Sequence, residues 1–471
     1  MFGTILNWIK GILNKFNVNN NSGSLDMTIS DDMQASIELW ERMYTKKAPW
    51  VNKDVKSLEL EADICTEFAR LVLLEHKSEL TGSVRANYIN EYYQKVLIDL
   101  RDQKLELALA TGGIVIKPYV QNGVIYTEFI ESNRFFPIEC NNNGEITAGI
   151  FVAQFLEGEK QYTRLEYHKL DELSKTYTIT NKAFMSKNKY DLGTEISLSN
   201  VSKWADITEY TQIDNIEKSL FVYIKVPLAN NIDTKSPLGV SIFSRATDKI
   251  KKADIQYGRI DWEYEASEKA LYVNELAIRA TDENTKKFRI DKLKNRIYKA
   301  LNMDDDDFYK EYSPEIRDEA FWRGLNKHLE RIEFSCQLAY GTLSEPSYSD
   351  KTAEEIKTSK QRSYSAVSRI QQSLESSLKH LVYVYDALCS LYELVQEGSI
   401  EQSNEWDDSL IINSESEQRI RQQEVREGLR TKASYLMYRY GFTEEQAIEE
   451  LEKIRQEKME AEKSLFNQQQ E

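Results

Sequence analysis

Apolar residues that recur in alternating steps of three and four positions constrain the fold of this 471-residue chain more than any other feature. One series runs over residues 243–264, and a second lies within about 316–340. The first consists of Phe243, Ala246, Ile250, Ala253, Tyr257, Ile260 and Tyr264, and the second of Trp322, Leu325, Leu329, Ile332, Cys336 and Ala339. This spacing places a narrow apolar face on a helix. The sequence therefore predicts two long helices that pack against neighbours along one face.

A third long helix is predicted for about 353–397. Thr352 and Glu355 have the spacing of a capping box, which specifies where the helix begins. Its later part carries a seven-residue apolar repeat with a companion row: Val367, Leu374, Leu381, Leu388 and Val395, with Leu378, Tyr385 and Tyr392. Its first part, IKTSKQRSYS, has only Ile356 and Tyr364 as large apolar residues. We expect the second half to be buried and most of the first half to face water or a polar partner.

The C-terminal segment is predicted to be an acidic linker, QEGSIEQSNEWDDS, followed by a helical hairpin from about 413 to the end. The hairpin turn is predicted at YGFTEEQ. Gly441 suits the end of one helix, and Thr443 with Gln446 forms a capping box for the next.

The pattern changes from helical to extended at Gly112 and Gly113. Three helical patterns precede this point, near 32–46, 54–77 and 84–110. After it, IVIKPYV and VIYTEFI flank QNG, which is the pattern of a β-hairpin. Further strand candidates are GIFVAQFL, TRLEYHKL, KTYTITNKAFM and FVYIKVPL. The sequence thus predicts a mainly antiparallel β insert over about 112–227, and an α+β fold that is mainly α.

The N-terminal segment FGTILNWIKGILNKF is predicted to be a short, basic amphipathic helix, followed by a polar linker. Its apolar face consists of Phe2, Ile5, Leu6, Ile9, Leu13 and Phe16. Such a helix can lie on a membrane, but docking on a partner or on its own fold is the favoured interpretation. No apolar run reaches the roughly 18 residues of a membrane span, and no secretory cleavage site follows, so we expect synthesis in the cytosol.

Composition argues against tight DNA binding, and motifs argue against an enzyme. The formal net charge of −16 disfavours free, tight binding to duplex DNA, because such binding relies on Lys and Arg. No GxxxxGK[ST], HExxH or GxSxG motif occurs. Metal-ligand spacing is also absent among the cysteines and histidines, which are Cys65, Cys140, Cys336, Cys389, His76, His168, His328 and His380. We predict reduced, structural thiols, no catalytic site and no cofactor.

An acidic run is the strongest metal candidate in the sequence. It lies in the segment 273–315, between the two long helices, where short strand-like pieces indicate a small tip. The run is Asp304, Asp305, Asp306 and Asp307. Clustered carboxylates bind hard cations, but the run lacks the third ligand, the turn glycine and the final Glu of an EF-hand loop. A solvated acidic loop is the favoured interpretation, and opportunistic magnesium binding stays open.

Three segments, in their order along the chain, carry a resemblance to a known family. They are EADICTEFARLVLLE, SPLGVSIFSRATDKIKKAD and LAYGTLSEPSYSDKTAEEI. These segments, and the order in which they occur, resemble those of the portal protein (head-to-tail connector) of tailed double-stranded-DNA bacteriophages of the siphophage type. The likeness covers nearly the whole chain. It implies a structural protein that forms a ring, usually a dodecamer, at the capsid vertex, with a channel through which the genome is packaged and ejected.

The resemblance also divides the chain into regions. These would be an N-terminal helix and linker (1–29), a wing that carries the β insert (30–239), a first stem helix (240–272), a clip (273–315), a second stem helix (316–340), a tunnel loop (341–351), a long helix returning to the wing with its linker (352–412), and a helical crown (413–471).

The tunnel loop would reach into the DNA channel, together with the start of the following helix. A loop and a polar helix face are what a chain needs where it lines a water-filled hole. The residues assigned to the channel are Gly341, Thr342, Leu343, Ser344, Glu345, Pro346, Ser347, Tyr348, Ser349, Asp350, Lys351, Lys357, Lys360 and Arg362. The four aspartates of the acidic run are assigned to a clip surface that contacts terminase or an adaptor.

The partners that the resemblance implies are further copies of the chain, double-stranded DNA, the terminase ATPase, the major capsid and scaffolding proteins, and a head-completion adaptor. The expected location is the portal vertex of the virion, after assembly in the host cytoplasm. Two other functions stay open. One is a metal-dependent DNA-processing enzyme that uses the acidic run, and the other is a membrane-associated scaffold anchored by residues 2–16.

Overall fold

The computed structural model describes residues 29–188, 191–267, 270–274, 298–301, 309–345, 353–406 and 414–468. The chain forms two compact units, Met1–Glu405 and Trp406–Glu471. The first unit combines helices with mainly antiparallel sheets, and the described part of the second is helical. This mixture confirms the predicted α+β class. The predicted N-terminal helix lies outside the described residues.

Helices form the start of the first unit, as predicted. They are α1 (Asp31–Tyr44), α2 (Leu60–Leu73), α3 (Val84–Asp99), a π-helical turn (Leu100–Lys104) and α4 (Leu105–Thr111). The second helix is shorter than the predicted 54–77. The side-chain oxygen of Asn52 accepts the N–H groups of Asp54 and Val55 in a turn, and Glu59 takes a left-handed conformation with φ 62°. The helix therefore begins only at Leu60.

Two short strands that the sequence did not predict pair with each other. β1 (Lys77–Thr81) is antiparallel to β14 (Glu401–Glu405), which lies inside the predicted acidic linker. The hydroxyl of Ser78 binds the Tyr93 hydroxyl at 2.7 Å and donates to the Ser403 carbonyl at 2.8 Å. Both strands are polar and pair across more than 300 positions of sequence, so no local apolar alternation indicates them.

The β insert is present, but as two sheets. β2 (Gly113–Gln121) and β3 (Val124–Glu131) form the predicted hairpin, and β10 (Val222–Lys225) returns to pair with β2. The other strands form a six-stranded antiparallel sheet of order β4-β5-β6-β7-β8, with β9 also paired to β7. They are β4 (Phe135–Cys140), β5 (Ile146–Glu157), β6 (Lys160–Asp171), β7 (Thr176–Ser186), β8 (Thr194–Ile196) and β9 (Tyr210–Asp214).

A buried charged network joins the two sheets. The carboxylate of Glu166 on β6 accepts hydrogen bonds from Lys117 on β2 at 2.9 Å and from Arg164 at 3.0 Å. Its other oxygen lies 2.7 Å from Nε2 of His168, whose Nδ1 lies 2.7 Å from the Tyr177 hydroxyl. Burial alone would raise the pKa of Glu166, but Lys117, His168 and Arg164 outweigh it and hold this pKa well below its usual range.

The two predicted long helices are α5 (Thr247–Ala266) and α6 (Asp318–Cys336), and they pack against each other. Along α5, Ile250, Ala253 and Ile260 are buried as the apolar series predicts, whereas Tyr264 is 43% exposed. Both helices are shorter than the predicted 240–272 and 316–340. The segment before α5 is a 3-10 turn, and α6 ends because Gln337 takes a left-handed conformation with φ 66°.

A small sheet lies between α5 and α6 in the sequence. Its strands are β11 (Ala270–Asn274), β12 (Tyr298–Leu301) and β13 (Tyr309–Tyr312), in the order β12-β11-β13. β11 is parallel to β12 and antiparallel to β13. Strand-like segments were predicted here, although Asp304, Asp305, Asp306 and Asp307 lie outside the described residues.

The third long helix, α7 (Ala353–Leu391), ends six residues earlier than the predicted 397. Its seven-residue repeat is confirmed, because Val367, Leu374, Leu381 and Leu388 are all buried. Tyr392, in contrast, is 52% exposed just past the helix end. The predicted cap residue Thr352 lies outside the described residues.

The described part of the second unit contains three helices where a hairpin was predicted. They are α8 (Ser414–Arg426), α9 (Lys432–Tyr440) and α10 (Glu444–Gln468). The predicted turn is confirmed: Gly441 has a φ of 67°, and Thr443 and Gln446 exchange the two capping-box hydrogen bonds at 3.0 and 3.3 Å. The break between α8 and α9 was not predicted, although a Gly and a capping Thr mark it in the sequence. In the structure, Gly428 has a φ of 75° and Thr431 caps α9.

Candidate functional site

The segment between α6 and α7 reverses the direction of the chain immediately after α6 ends. The N–H of Leu338 donates to the Glu333 carbonyl at 2.9 Å across the left-handed Gln337, which is the pattern of a Schellman cap. Gly341 also has a positive φ, 85°, a conformation that glycine adopts without strain. Residues 341–345, which we name the loop base, follow from this turn.

The loop base is bound to a buried carboxylate. Oε1 of Glu333 accepts the backbone N–H groups of Gly341 at 3.1 Å, Leu343 at 2.6 Å and Ser344 at 2.8 Å. Oε2 accepts the hydroxyl of Ser344 at 2.9 Å. Glu333 is 0% exposed, so its charge is removed from water and is stabilised by these four donors.

Glu333 was not among the residues predicted from the sequence, although one signal points to it. It stands in the last turn of α6, where the helix dipole disfavours a negative charge and where a basic residue is usual. No basic residue occupies that turn. An acidic residue there, followed by a Gly and Ser segment, indicates a carboxylate that binds backbone N–H groups.

The predicted channel residues have unlike environments. Thr342 and Glu345 are exposed, but Ser344 is 4% exposed and its hydroxyl is bound to Glu333. Lys360 is exposed on α7. The remaining loop residues, Pro346, Ser347, Tyr348, Ser349, Asp350 and Lys351, and the side chain of Lys357 lie outside the described residues.

Arg362 packs against aromatic rings near the loop base. Its guanidinium carbon lies 4.5 Å from the ring centre of Phe334 and 5.4 Å from that of Tyr340. Its Nη1 atom is buried and has no hydrogen-bond partner among the described residues. These contacts are cation–π interactions, which join the start of α7 to the end of α6.

No metal centre is found within the part of the chain that the structure describes: no three His, Cys, Asp or Glu side chains are grouped to bind an ion. His168 and His380 have protein partners instead; His380 Nε2, for example, lies 2.8 Å from the Ser219 carbonyl. Burial lowers the pKa of both His168 and His380. Among the described helices, none combines the length and apolar character needed to cross a membrane.

Comparison with known families identifies the class of protein to which this chain belongs. A family model described as "Phage portal protein, SPP1 Gp6-like" matches residues 70–464, which is more than half of the 471-residue chain. The chain belongs to this family of phage portal proteins. The match includes both paired helices, the loop base and α7, and it confirms the resemblance noted in the sequence. No curated protein matches the chain.

Family membership gives the coarse function. Phage portal proteins are structural components of the capsid that connect head to tail and serve DNA packaging, and they are not enzymes. The absence of nucleotide-binding and hydrolase motifs from the sequence agrees with that role.

Proposed function

We propose that the chain assembles into a ring, with twelve subunits as the expected number, and that the ring forms the DNA channel at the portal vertex. The family match over residues 70–464 is the observation that carries this proposal. The paired helices support it, because Trp262 on α5 and Trp322 on α6 are 61% and 45% exposed. Large exposed aromatic side chains are typical of surfaces that pack against another subunit.

The tunnel loop, residues 341–351, and the start of α7 would line the channel, with Lys351, Lys357 and Lys360 nearest the DNA. The exposure of Lys360 supports its place in this group. Arg362 differs, because its guanidinium lies on two aromatic rings, and we assign it to the support of the loop.

The net charge of −16 would then have a physical role in DNA passage. An acidic surface repels the DNA backbone, and a few cations at a constriction make contacts that break easily. Weak contact of this kind permits sliding.

The other regions would bind the remaining partners. The clip, residues 273–315 with its acidic run, would contact the terminase during packaging and the head-completion adaptor afterwards. The wing (30–239) and crown (413–471) would meet capsid and scaffolding proteins. Assembly would take place in the host cytoplasm before the ring becomes part of the virion.

The first experiment is native mass spectrometry and negative-stain imaging of the purified full chain. We expect rings with a central hole and a mass many times 54.9 kDa. A compact monomer that persists at high concentration and with scaffolding protein present would contradict the proposal.

A second experiment tests the channel loop alone. Residues 346–351 are replaced by a Gly/Ser sequence of equal length, which leaves the loop base and its bonds to Glu333 in place. We expect rings to assemble while packaging or retention of DNA falls. The matched control replaces the exposed β6–β7 turn at residues 172–175 in the same way. Normal phage titre with the altered loop would contradict its role while leaving ring formation standing.

A further inference from the structure

We infer that Glu333 is a positioning residue that fixes the loop base, residues 341–345, to the helix α6, so that this segment follows α6 and not α7. The consequence for DNA rests on the proposed function, whereas the attachment itself rests on the contacts alone.

The first line of argument is the set of donors around the carboxylate. Three backbone positions of the loop base, Gly341, Leu343 and Ser344, direct N–H groups to one oxygen of Glu333, and the Ser344 hydroxyl donates to the other. If the loop base moved away, a buried anion would lose every one of these donors together. The bonds therefore form or break as a group.

The second line of argument is the direction in which the loop base runs. The N–H of Glu345 donates to the side-chain oxygen of Asn326 at 2.8 Å. Asn326 lies seven residues before Glu333, which places both side chains on the same face of α6, about 10 Å apart along its axis. The loop base therefore runs back along α6 and is bound to it at two levels.

The contacts with α7 are of a different kind. Arg362 packs on Phe334 and Tyr340, and Arg369 donates to the side chain of Gln337. All three partners precede the loop base. Within the described residues, the hydrogen bonds of the loop base end on α6 or on the turn that follows it. A displacement of α6 would thus carry the loop base with it, and in a ring it would change where the tunnel loop enters the channel.

The test compares hydrogen–deuterium exchange of the purified full chain with that of three variants. Glu333→Ala removes all four acceptor contacts, and we expect peptides covering residues 341–345 to exchange about tenfold faster or more. Glu333→Gln keeps an oxygen acceptor and has an amide that can donate to the Ser344 hydroxyl, so it should restore most of the protection. Glu319→Gln, which changes an exposed residue in the first turn of the same helix, is the matched control and should leave these peptides unchanged.

Equal exchange in the wild type and Glu333→Ala, with unchanged exchange in β5 and β6, would overturn the inference. If Glu333→Ala does not fold, Ser344→Ala and Asn326→Ala each remove one contact, and each should raise exchange in the same peptides by a smaller factor. No change in either would also overturn it.

Phage production by the same variants separates this inference from the proposed function. We expect Glu333→Ala to assemble rings and lose titre, and Glu333→Gln to recover much of it. Faster exchange with a normal titre would leave the attachment standing and contradict the role of the loop in DNA passage.

Discussion

Glu333 and Glu61 are both almost fully buried, and they have opposite surroundings. Glu333, at the end of α6, accepts four hydrogen bonds from the loop base. Glu61, in the first turn of α2, is 1% exposed, and among the described residues neither of its carboxylate oxygens has a partner other than its own backbone N–H. The comparison shows that burial alone does not set the role of a carboxylate. With donors, the carboxylate becomes a structural support, as at Glu333. Without them, burial raises its pKa, as at Glu61.

The surroundings of Glu61 are acidic as well as buried. Burial raises its pKa from 4.5 to about 7, and the charges of Asp254, Asp63 and Glu59 add to the increase. Asp254, on α5, is itself engaged by the Trp50 indole at 2.7 Å and the Leu58 N–H at 2.9 Å. Glu61 and Asp254 are therefore neighbouring carboxyl groups, and of the two only Asp254 has donors from other described residues.

The Glu166 carboxylate, which is 13% exposed, extends the comparison to cationic partners and gives the largest expected effect. Glu166→Gln should lower the free energy of unfolding by about 3–5 kcal/mol at pH 7, because Arg164 would lose its carboxylate partner and the buried Lys117 would keep only Glu128, at 3.4 Å. The pKa of Glu166 is lowered in the fold, so its stabilisation is present above the unfolded pKa and is lost as the pH falls through the folded pKa.

Urea denaturation at several pH values measures this effect. Glu157→Gln, at the exposed end of β5, is the control and should change the unfolding free energy by less than about 0.5 kcal/mol. A loss that does not shrink in acid would show that the charges around Glu166 are not its cause.

The next largest effect is expected at Glu333. Glu333→Ala should lower the unfolding free energy by about 2–4 kcal/mol, because hydrogen bonds to a charged acceptor contribute roughly 1.5–3 kcal/mol each and water replaces part of them. Glu333→Gln should lose only about 1 kcal/mol. Urea denaturation distinguishes the two, and equal losses would mean that the negative charge, which both variants lack, and not the oxygen acceptor that Gln retains, accounts for the effect.

Glu61 should show a change of the opposite sign. Its folded pKa of about 7 lies above the unfolded value of 4.5, so its contribution favours folding in acid and is lost as the pH rises through 7. Glu61→Gln should therefore raise the unfolding free energy by about 1–3 kcal/mol at pH 8 and change it little near pH 4. Thermal unfolding across this pH range provides the measurement. If the difference in unfolding free energy between the wild type and Glu61→Gln does not depend on pH, Glu61 is not the group that titrates in this range.

How much of the fold could be predicted depends on the sequence separation between the residues that form each feature. Local patterns were sufficient for the buried repeat of α7, the hairpin of β2 and β3, and the cap at Gly441 and Thr443. Contacts across long stretches of sequence were not readable. β1 and β14 have no apolar alternation that would indicate a strand. Each also pairs with a segment more than 300 residues away, so no local pattern predicts the pairing.

The candidate site shows the same division. The loop was found from its Gly, Ser and Pro composition, but the residue that binds its base was not, because Glu333 lies in a helix and resembles an ordinary surface acid. Arg362 was grouped with the channel cations by charge alone. Only the fold shows that Phe334 and Tyr340 lie beneath its guanidinium.

The smallest expected effect applies the comparison to two neighbouring cations. Arg362→Lys should lower the unfolding free energy by about 0.5–1 kcal/mol, because a planar guanidinium stacks on rings and an ammonium group does so less well. Lys360→Ala should change it by less than about 0.5 kcal/mol, since Lys360 is exposed. Thermal unfolding of both variants gives the values. Equal stability of the two variants would show that the aromatic contacts of Arg362 contribute nothing. A loss confined to Arg362→Lys would mean that a cation beside the loop, like the two glutamates, takes its role from its partners.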